Sequence, residues 1–278
     1  GGAGFIGSNL VSKLFNDGYD IISIDNYSFG KKENEIFGVK YYDLDIEDIH
    51  KIDEKIDICF HLAAQSRVQP SFDNPAECFR INVTGTMKVL NWAKLNNVKT
   101  VYAGSCSKHH DPSDSPYAMY KYLGEEICKL YRKSFNLNVE IARFYNVYGP
   151  NENIDEKFGN VIGVWLSKLS KGMPLTIVGD GDQKRDFIHV FDIVDGLTKI
   201  AFSEMTHNDA WELGSGINYS VNQLYEIFKT NFNATSVYVP DQPGNYRMTI
   251  RTNDDMLNKL NWLPKDRLES HIKSLKIK

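Results

Sequence analysis

The sequence predicts an α/β protein built on a doubly wound parallel sheet, followed by a smaller C-terminal α/β lobe. Short apolar strands alternate with helical stretches in the first half of the chain, which indicates a parallel sheet covered by helices on both faces. A glycine-rich segment opens the chain directly before a helix, and the second half changes to loops rich in Gly, Asn, Asp and Pro. We expect a first domain over 1–150 and a ligand-binding lobe over 151–278, with some return of the chain to the first domain. Ligands of such folds bind beyond the carboxyl ends of the strands, so the cleft between the two units is the expected site.

Hydrophobic periodicity places the individual elements. Short apolar runs bounded by polar or glycine residues indicate strands, and longer segments with apolar residues on one face indicate helices. The predicted strands are 21–25, 39–44, 57–62, 100–104 and 139–144, and the predicted helices are 8–16, 74–96, 117–135, 161–171, 192–202 and 221–232.

Composition and charge argue against several classes of protein. The 278 residues carry 32 basic and 36 acidic side chains, a net charge of −4, which provides no basic surface for nucleic acid or an anionic membrane. No run of about 18 apolar residues is present, so we expect no membrane span. Widely spaced cysteines without a C-x-x-C pair are typical of a reducing, cytoplasmic location and of a chain without a zinc site. These cysteines are Cys59, Cys78, Cys106 and Cys128.

The chain begins at Gly1 with no apolar strand ahead of its glycine-rich segment. We therefore expect the first strand of the sheet to be missing. That strand would be central, and its loss would expose the backbone edges of its neighbours. If the molecule starts at Gly1, weak cofactor retention and poor stability are expected.

The opening glycines are the first candidate binding site. Gly1, Gly4 and Gly7 are three residues apart before a helix, so the backbone can approach a pyrophosphate whose charge is met by helix N-terminal amides. A loop that needs positive φ angles would explain the same glycines. Asp25 ends a strand 18 residues beyond Gly7, where a carboxylate accepts hydrogen bonds from the adenosine ribose and repels a 2′-phosphate. This arrangement is typical of a Rossmann-type fold and favours NAD over NADP.

Further cofactor contacts are expected around the glycines and Asp25. Asp45 and Ile46 follow the predicted strand 39–44, which makes them candidates to contact the adenine. A strand-end or helix-capping role explains Asp45 equally well. The remaining candidates near the dinucleotide are Phe5, Ile6 and Asn26.

The catalytic candidates are Ser105, Tyr117 and Lys121. Tyr117 and Lys121 are four residues apart on a predicted helix, so their side chains share one face. A nearby ammonium lowers the pKa of a phenol, normally near 10, and makes it a usable acid and base. Ser105 ends the preceding strand, where its hydroxyl would bond the same substrate oxygen. An amphipathic helix that packs its tyrosines would explain the Tyr and Lys pair alone.

Seven segments occur in the order seen in the NAD-dependent epimerase/dehydratase family of extended short-chain dehydrogenases, and they cover nearly the whole chain. The segments are GGAGFIG, HLAAQSRVQPSF, INVTGT, Ser105, YAMYK, RFYNVYGP and GDGDQKRDFIHV. The sequence therefore resembles this family, and most closely its UDP-sugar 4-epimerases. The resemblance implies an NAD-dependent enzyme that acts on a nucleotide-linked sugar.

The resemblance also implies roles for individual residues. Arg185 and Arg247 are the candidates to bind the diphosphate, because a guanidinium is a permanently charged fork of donors. Thr249 falls where side-chain bulk excludes N-acetyl groups in family epimerases, and a threonine would allow them. By similarity the cofactor would contact Leu62, Ala63, Ala64, Tyr117, Lys121 and Tyr145, with Asn82 in the helix behind the site, and the substrate would contact Ser105, Asn146, Asn160, Val161, Arg185, Arg247 and Thr249.

Epimerisation is the reaction that the resemblance favours. Family dehydratases carry an Asp-Glu pair after the catalytic serine or threonine, and related decarboxylases carry a glutamate there, whereas Ser105 is followed by Cys106, Ser107 and Lys108. We expect a 4-epimerase of a UDP-linked hexose, N-acetylhexosamine or hexuronate, which the resemblance implies is a homodimer. The alternatives are a 2-epimerase, a reductase, a dehydratase, or a non-catalytic or truncated NAD-binding protein.

The segment SCSKHHDPSDSPY departs from the family pattern, in which Val-Tyr-Gly often follows the serine. Lys108, His109 and His110 are expected either to alter sugar recognition or to form a lid. A metal role for the two histidines is not favoured, because adjacent histidines tend to point apart and no acidic third ligand is obvious.

Overall fold

The computed structural model describes residues 1–276, and its centre is a parallel sheet with helices packed on both faces. The strands are β1 (Ile22–Asp25), β2 (Lys40–Asp43), β3 (Ile58–His61), β4 (Lys99–Ser105), β5 (Val139–Phe144), β6 (Asn146–Tyr148), β7 (Leu175–Val178), β8 (Lys184–His189), β9 (Trp211–Leu213), β10 (Asn218–Ser220) and β11 (Ser236–Val239). The helices are α1 (Phe5–Asn16), α2 (Val68–Asp73), α3 (Pro75–Phe79), α4 (Thr86–Asn96), α5 (Pro116–Phe135), α6 (Val161–Ser170), α7 (Val190–Phe202), α8 (Val221–Phe232), α9 (Asp255–Leu260) and α10 (Leu268–Ser274).

The strands pair in four groups. The main parallel sheet has the order β3-β4-β5-β9, and β1 pairs with β2 in a second parallel group. The C-terminal part adds a mixed sheet, β10-β8-β6, and a parallel pair, β11-β7. The prediction of an α/β fold with a doubly wound parallel sheet is confirmed. Within residues 1–276, no helix is long and apolar enough to cross a bilayer.

The predicted elements are present, with ends that shift by a few residues. The helix predicted over 74–96 consists of α3 and α4 joined by a π-helical segment, Arg80–Gly85. Strands β6 to β11 lie outside the predictions, because most have only three or four residues in segments with the composition of loops. Short helices α2, α9 and α10 were not predicted for the same reason.

The second half of the chain returns to the main sheet. Strand β9 pairs in parallel with β5 from Ala142 opposite Trp211 to Phe144 opposite Leu213. Helix α7 packs against α1, and its buried Ile193 and Leu197 share one hydrophobic cluster with Leu10 of α1. Burial of this apolar surface holds α1 against the sheet. The division of the chain at residue 150 stays a prediction.

A buried ion pair joins helix α5 to the main sheet. The Arg143 guanidinium on β5 contacts Glu125 of α5 at 2.8 Å, Asp209 at 2.7 Å and Glu212 of β9 at 3.3 Å. The side chains of Arg143, Glu125 and Glu212 are only 3%, 1% and 0% exposed. The Ser105 amide also donates to Glu125 at 3.4 Å. The network therefore fixes α5 relative to the end of β4.

Replacement of this arginine by methionine (Arg143→Met) would leave Glu125 and Glu212 buried without their cation. Removal of one partner from a buried pair costs about 3–5 kcal/mol, so we expect the midpoint of urea unfolding to fall sharply. The exposed Arg247, which pairs with Asp180, provides the matched control. Arg247→Met should leave the midpoint unchanged, because exposed pairs contribute little. Equal effects of the two substitutions would contradict an anchoring role for Arg143.

Candidate active site

The glycine-rich loop packs so closely that a side chain does not fit at two of its positions. A Cβ atom at Gly7 would lie 2.1 Å from the Gly1 oxygen, and one at Gly1 would lie 2.7 Å from the Ala63 nitrogen. A Cβ atom at Gly4 would meet only the Gly1 oxygen, at an ordinary 3.4 Å. Neither Gly4 nor Gly7 has a positive φ, so backbone strain explains neither of them. Close packing explains Gly7, whereas Gly4 has room for a methyl group within the protein. In the described chain no side chain caps α1, which leaves amides of its first turn for a pyrophosphate.

Asp25 lies at the end of β1, where an adenosine ribose would bind. It is 7% exposed, and its carboxylate accepts hydrogen bonds from the Ala3 and Tyr27 amides, each at 2.9 Å. These bonds leave further lone pairs on both oxygens for ribose hydroxyls. The glycine loop and Asp25 together fit NAD.

The position of Asp45 is compatible with both roles that the sequence left open, a helix cap and a cofactor contact. Its side chain caps a short 3₁₀ helix by accepting from the Glu47 amide at 3.1 Å, and it also lines the cavity. Asn26 donates to it at 3.0 Å, and hydrogen bonds from Arg80 hold the pKa of the Asp45 carboxyl below its usual value. These hydrogen bonds hold the Asp45 carboxylate in a fixed position in the cavity wall.

Asn82 supports the site from behind and does not line the cavity. Its side chain accepts from the Gln65 amide and donates to the Gln65 carbonyl, both at 2.9 Å. It is 1% exposed and lies in the π-helical segment. Asn82 therefore holds the backbone that follows Leu62, Ala63 and Ala64, and the structure does not bring it to the cofactor position itself.

The three catalytic candidates meet at the carboxyl end of β4. Tyr117 Oη lies 3.3 Å from Ser105 Oγ, and Lys121 Nζ donates to the Ala103 carbonyl at 2.9 Å. Helix α5 starts with Pro116 at its first position, and Ser115 caps it by accepting from the Ala118 amide at 3.1 Å. These signals begin the helix one residue before Tyr117, so Tyr117 and Lys121 project into the same cavity.

The expected lowering of the Tyr117 pKa by Lys121 is not found. Burial raises the pKa of Tyr117 to about 12, although the hydrogen bond with Ser105 and the nearby Arg67 cation act to lower it. Burial also lowers the pKa of Lys121 to about 8, because its ammonium is removed from water. The Lys121 ammonium donates its hydrogen bond to the Ala103 carbonyl and not to the Tyr117 hydroxyl.

The substrate candidates line the other end of the same cavity. Asn146 donates to the Thr249 hydroxyl at 3.0 Å, and Asn160 caps α6 while donating to the Val147 carbonyl at 2.7 Å. Burial lowers the pKa of Arg185, whose guanidinium bonds the Asn245 side chain at 2.5 Å. The cavity brings together Phe5, Ile6, Asn26, Ile46, Leu62, Ala63, Ala64, Ser105, Tyr117, Lys121, Tyr145, Asn146, Asn160, Val161, Arg185 and Thr249.

Arg247 does not join this group. Its side chain is 68% exposed and pairs with Asp180 at the surface, whereas the preceding Asn245 and Tyr246 line the cavity. The structure therefore does not place Arg247 among the cavity residues, where a contact with the diphosphate was expected.

The histidine segment after Ser105 makes contacts that the sequence did not predict. His109 Nε2 lies 2.6 Å from the Glu212 carboxylate, which also accepts from the Tyr145 hydroxyl. Burial acts to raise the pKa of Glu212, but its bonds from His109 and Tyr145 hold it at about 2. The His110 ring stacks on Tyr246 with centroids 3.8 Å apart. This segment therefore joins the main sheet to the loop that bears Tyr246.

Arg67 is a further cavity residue that sequence reasoning did not single out. It lies within HLAAQSRVQPSF, and its Nε donates to the Phe158 carbonyl at 2.7 Å. The sequence signal was its position within this motif, which also carries the predicted cofactor contacts Leu62, Ala63 and Ala64.

A glycine-rich dinucleotide loop beside a Ser, Tyr and Lys set defines an α/β protein of the short-chain dehydrogenase type. The chain belongs to the NAD dependent epimerase/dehydratase family, whose family model matches residues 1–214. The resemblance drawn from the seven segments is thus confirmed.

Individual relatives agree on the family and differ in reaction. The chain is 33% identical to a putative UDP-glucose 4-epimerase of Methanocaldococcus jannaschii, over 98% of this chain and 94% of that protein. It is 30% identical to UDP-glucuronic acid decarboxylase 1 of Arabidopsis thaliana, over 95% of this chain and 65% of that protein. The solved structure of UDP-glucose 4-epimerase with UDP-glucose from Thermotoga maritima matches with a TM-score of 0.91 at 30% identity, over 98% of this chain and 94% of that chain.

Two glycine substitutions separate loop packing from cofactor access. Gly4→Ala should lower the melting temperature only slightly, since glycine is modestly preferred over alanine at an N-cap. It should weaken NAD binding by about tenfold or more, because its methyl group would stand where the pyrophosphate approaches. Gly7→Ala should lower both stability and affinity, because its Cβ would overlap the Gly1 carbonyl. Unchanged NAD affinity in Gly4→Ala, measured by calorimetric titration, would contradict this cofactor site.

Proposed function

We propose that the protein is a nucleotide-sugar 4-epimerase that acts on a UDP-linked hexose, N-acetylhexosamine or hexuronate. The observation that carries the proposal is the 3.3 Å approach of Tyr117 Oη to Ser105 Oγ in the cavity that also contains the glycine loop and Arg185. NAD, when bound, supplies the acceptor and then the donor of a hydride at the sugar carbon.

Residues of this chain transfer the proton and bind the cofactor and the substrate. Tyr117 Oη takes the proton of the sugar hydroxyl and later returns it, and Ser105 Oγ holds the same oxygen by a hydrogen bond. Lys121 binds the ribose of the cofactor on the side of the phenol. Asn146 and Arg185 hold the diphosphate, so that the sugar is the part of the substrate free to turn.

Epimerisation is favoured over dehydration because no acid follows the catalytic serine. Ser107, two residues on, donates its hydroxyl to Ser105 Oγ at 3.0 Å. Lys108 points to Glu126 at 2.6 Å, and its ammonium stands 3.6 Å from the centre of the Tyr122 ring. An elimination needs a further acid and base beside the sugar, and these positions supply neither.

We also propose a cytoplasmic homodimer that uses α4 and α5. Met87 and Leu95 on α4 and Leu130 on α5 are 42%, 81% and 53% exposed, which is a large apolar exposure for neighbouring helices. The cysteines of the described chain are free, as is typical of a reducing compartment. Light scattering would separate the 31.7 kDa monomer from a dimer, and a monomer at all concentrations would exclude this interface.

The direct test is to incubate the protein and NAD with UDP-glucose, UDP-galactose, UDP-N-acetylglucosamine and UDP-glucuronate, and to follow the anomeric protons by NMR. We expect a C4 epimer of at least one of them. Tyr117→Phe should reduce the rate by about 10²-fold or more, because it removes the proton-transfer oxygen and keeps the ring. Tyr122→Phe, on the same helix, is the matched control and should retain activity.

Other products would assign a different reaction. A 4-keto-6-deoxy sugar would identify a dehydratase, and a pentose from UDP-glucuronate would identify a decarboxylase. Absence of any product across the panel, with NAD bound, would overturn the proposal for UDP-linked substrates.

A further inference from the structure

Arg67 stands beside the catalytic tyrosine. It directly precedes α2, and Ser71 of α2 accepts a hydrogen bond from the Tyr117 amide at 3.1 Å. The Arg67 cation is close enough to act on the pKa of Tyr117, and both residues line the same cavity. Arg67 therefore lies at the end of the cleft where the sugar and its adjoining phosphate would bind.

The guanidinium of Arg67 has most of its donors free. Nε donates to the Phe158 carbonyl at 2.7 Å, but within residues 1–276 the two Nη groups have no hydrogen-bond acceptor and no ion-pair partner. Glu152 lies nearby, but its carboxylate accepts from the Gly163 amide at 2.9 Å, and burial raises its pKa to about 7. Glu152 acts on Arg67 through its charge, but within residues 1–276 it makes no hydrogen bond or ion pair with the guanidinium.

Two lysines that line the cavity have acidic partners. Lys157 pairs with Asp73 at 2.9 Å, and Lys168 lies 3.6 Å from Glu156. Within the described residues, Arg185 resembles Arg67, because its guanidinium bonds an amide and a carbonyl and no carboxylate. An uncompensated guanidinium is costly to bury, and burial lowers the pKa of Arg67 accordingly.

Arg67 and Arg185 approach one segment of the C-terminal part, 242–246, from different elements. Arg185 bonds Asn245 within it. Gln69, two residues after Arg67, donates to the Pro243 carbonyl at 2.8 Å, and a Cβ atom at Gly244 would lie 2.8 Å from Val68. This places two cations, each without an acidic partner, along one wall of the cleft.

We infer that Arg67 is the second anion-binding residue of the substrate cleft and, with Arg185, binds the negatively charged part of the nucleotide sugar. The inference rests on the proposed function for the class of ligand. A guanidinium fork binds phosphate and carboxylate oxygens with the same geometry. The anion is therefore the diphosphate or a carboxylate on the sugar, and the two sources are separable by experiment.

The test is calorimetric titration of UDP, UDP-glucose and UDP-glucuronate into the NAD-supplemented protein. Arg67→Gln and Arg67→Lys both lose the Nε bond to Phe158, but only the lysine keeps the positive charge. We expect Arg67→Gln to weaken binding by about tenfold or more and Arg67→Lys to weaken it by about threefold at most. Arg247→Gln, an arginine outside the cavity, should match the wild type.

The pattern among ligands identifies the anion. Equal weakening of all three ligands in Arg67→Gln would identify the diphosphate, and weakening of UDP-glucuronate alone would identify a sugar carboxylate. Equal loss in the glutamine and lysine variants would show that Arg67 only anchors the Phe158 loop, and would overturn the inference. Unchanged binding in Arg67→Gln would also overturn it.

Failure of the proposed function is separable from failure of this inference. If the wild type binds UDP but epimerises no sugar, the proposed function fails, and the Arg67 variants still decide the inference by affinity. If the wild type binds none of the three ligands, both are overturned. Melting temperatures of the variants show whether each is folded.

Discussion

The geometry of the site depends on one buried ion pair, between Arg143 of β5 and Glu125 of α5. Glu125 lies one turn of helix beyond Lys121 and two turns beyond Tyr117, and it also accepts the Ser105 amide at 3.4 Å. The same carboxylate of α5 therefore contacts two strands, through Arg143 of β5 and through the amide of Ser105 at the end of β4. Separation of the two partners would leave a buried charge without its counter-ion, which costs free energy. The pair therefore favours one position of α5 on the sheet. The 3.3 Å separation of the two hydroxyl groups follows from that position.

The cleft has two parts that differ in how they would bind phosphate groups. The proposed pyrophosphate site consists of backbone amides and tightly packed glycines, whereas Arg67 and Arg185 provide positive charge to the proposed substrate site. Tyr117 lines the same cavity as the glycine loop and the two arginines. Burial there raises its pKa to about 12, whereas the Arg67 cation and the hydrogen bond with Ser105 act to lower it.

The central elements and the catalytic set were predictable from sequence because each has a strong local signal. Apolar strands, the Ser115 and Pro116 start of α5, and the Tyr and Lys spacing all act within a few residues. The C-terminal strands were not predictable, because a three-residue strand such as β9 is defined by its partner β5 and not by its own pattern. The same reason applies to contacts between distant residues, such as the stacking of His110 on Tyr246. The sequence did not show that Arg247 lies outside the cavity, because the path of an irregular loop is set by contacts with distant residues such as Asp180.

The central claim is that the configuration at one sugar carbon is inverted while Tyr117 moves a proton only to and from oxygen. The most direct measurement is to run the reaction in D₂O and examine the product by NMR and mass spectrometry. The account predicts that the inverted carbon keeps its original hydrogen, because that hydrogen does not exchange with water. Deuterium on a ring carbon of the product would show that carbon itself is deprotonated, and would contradict the account.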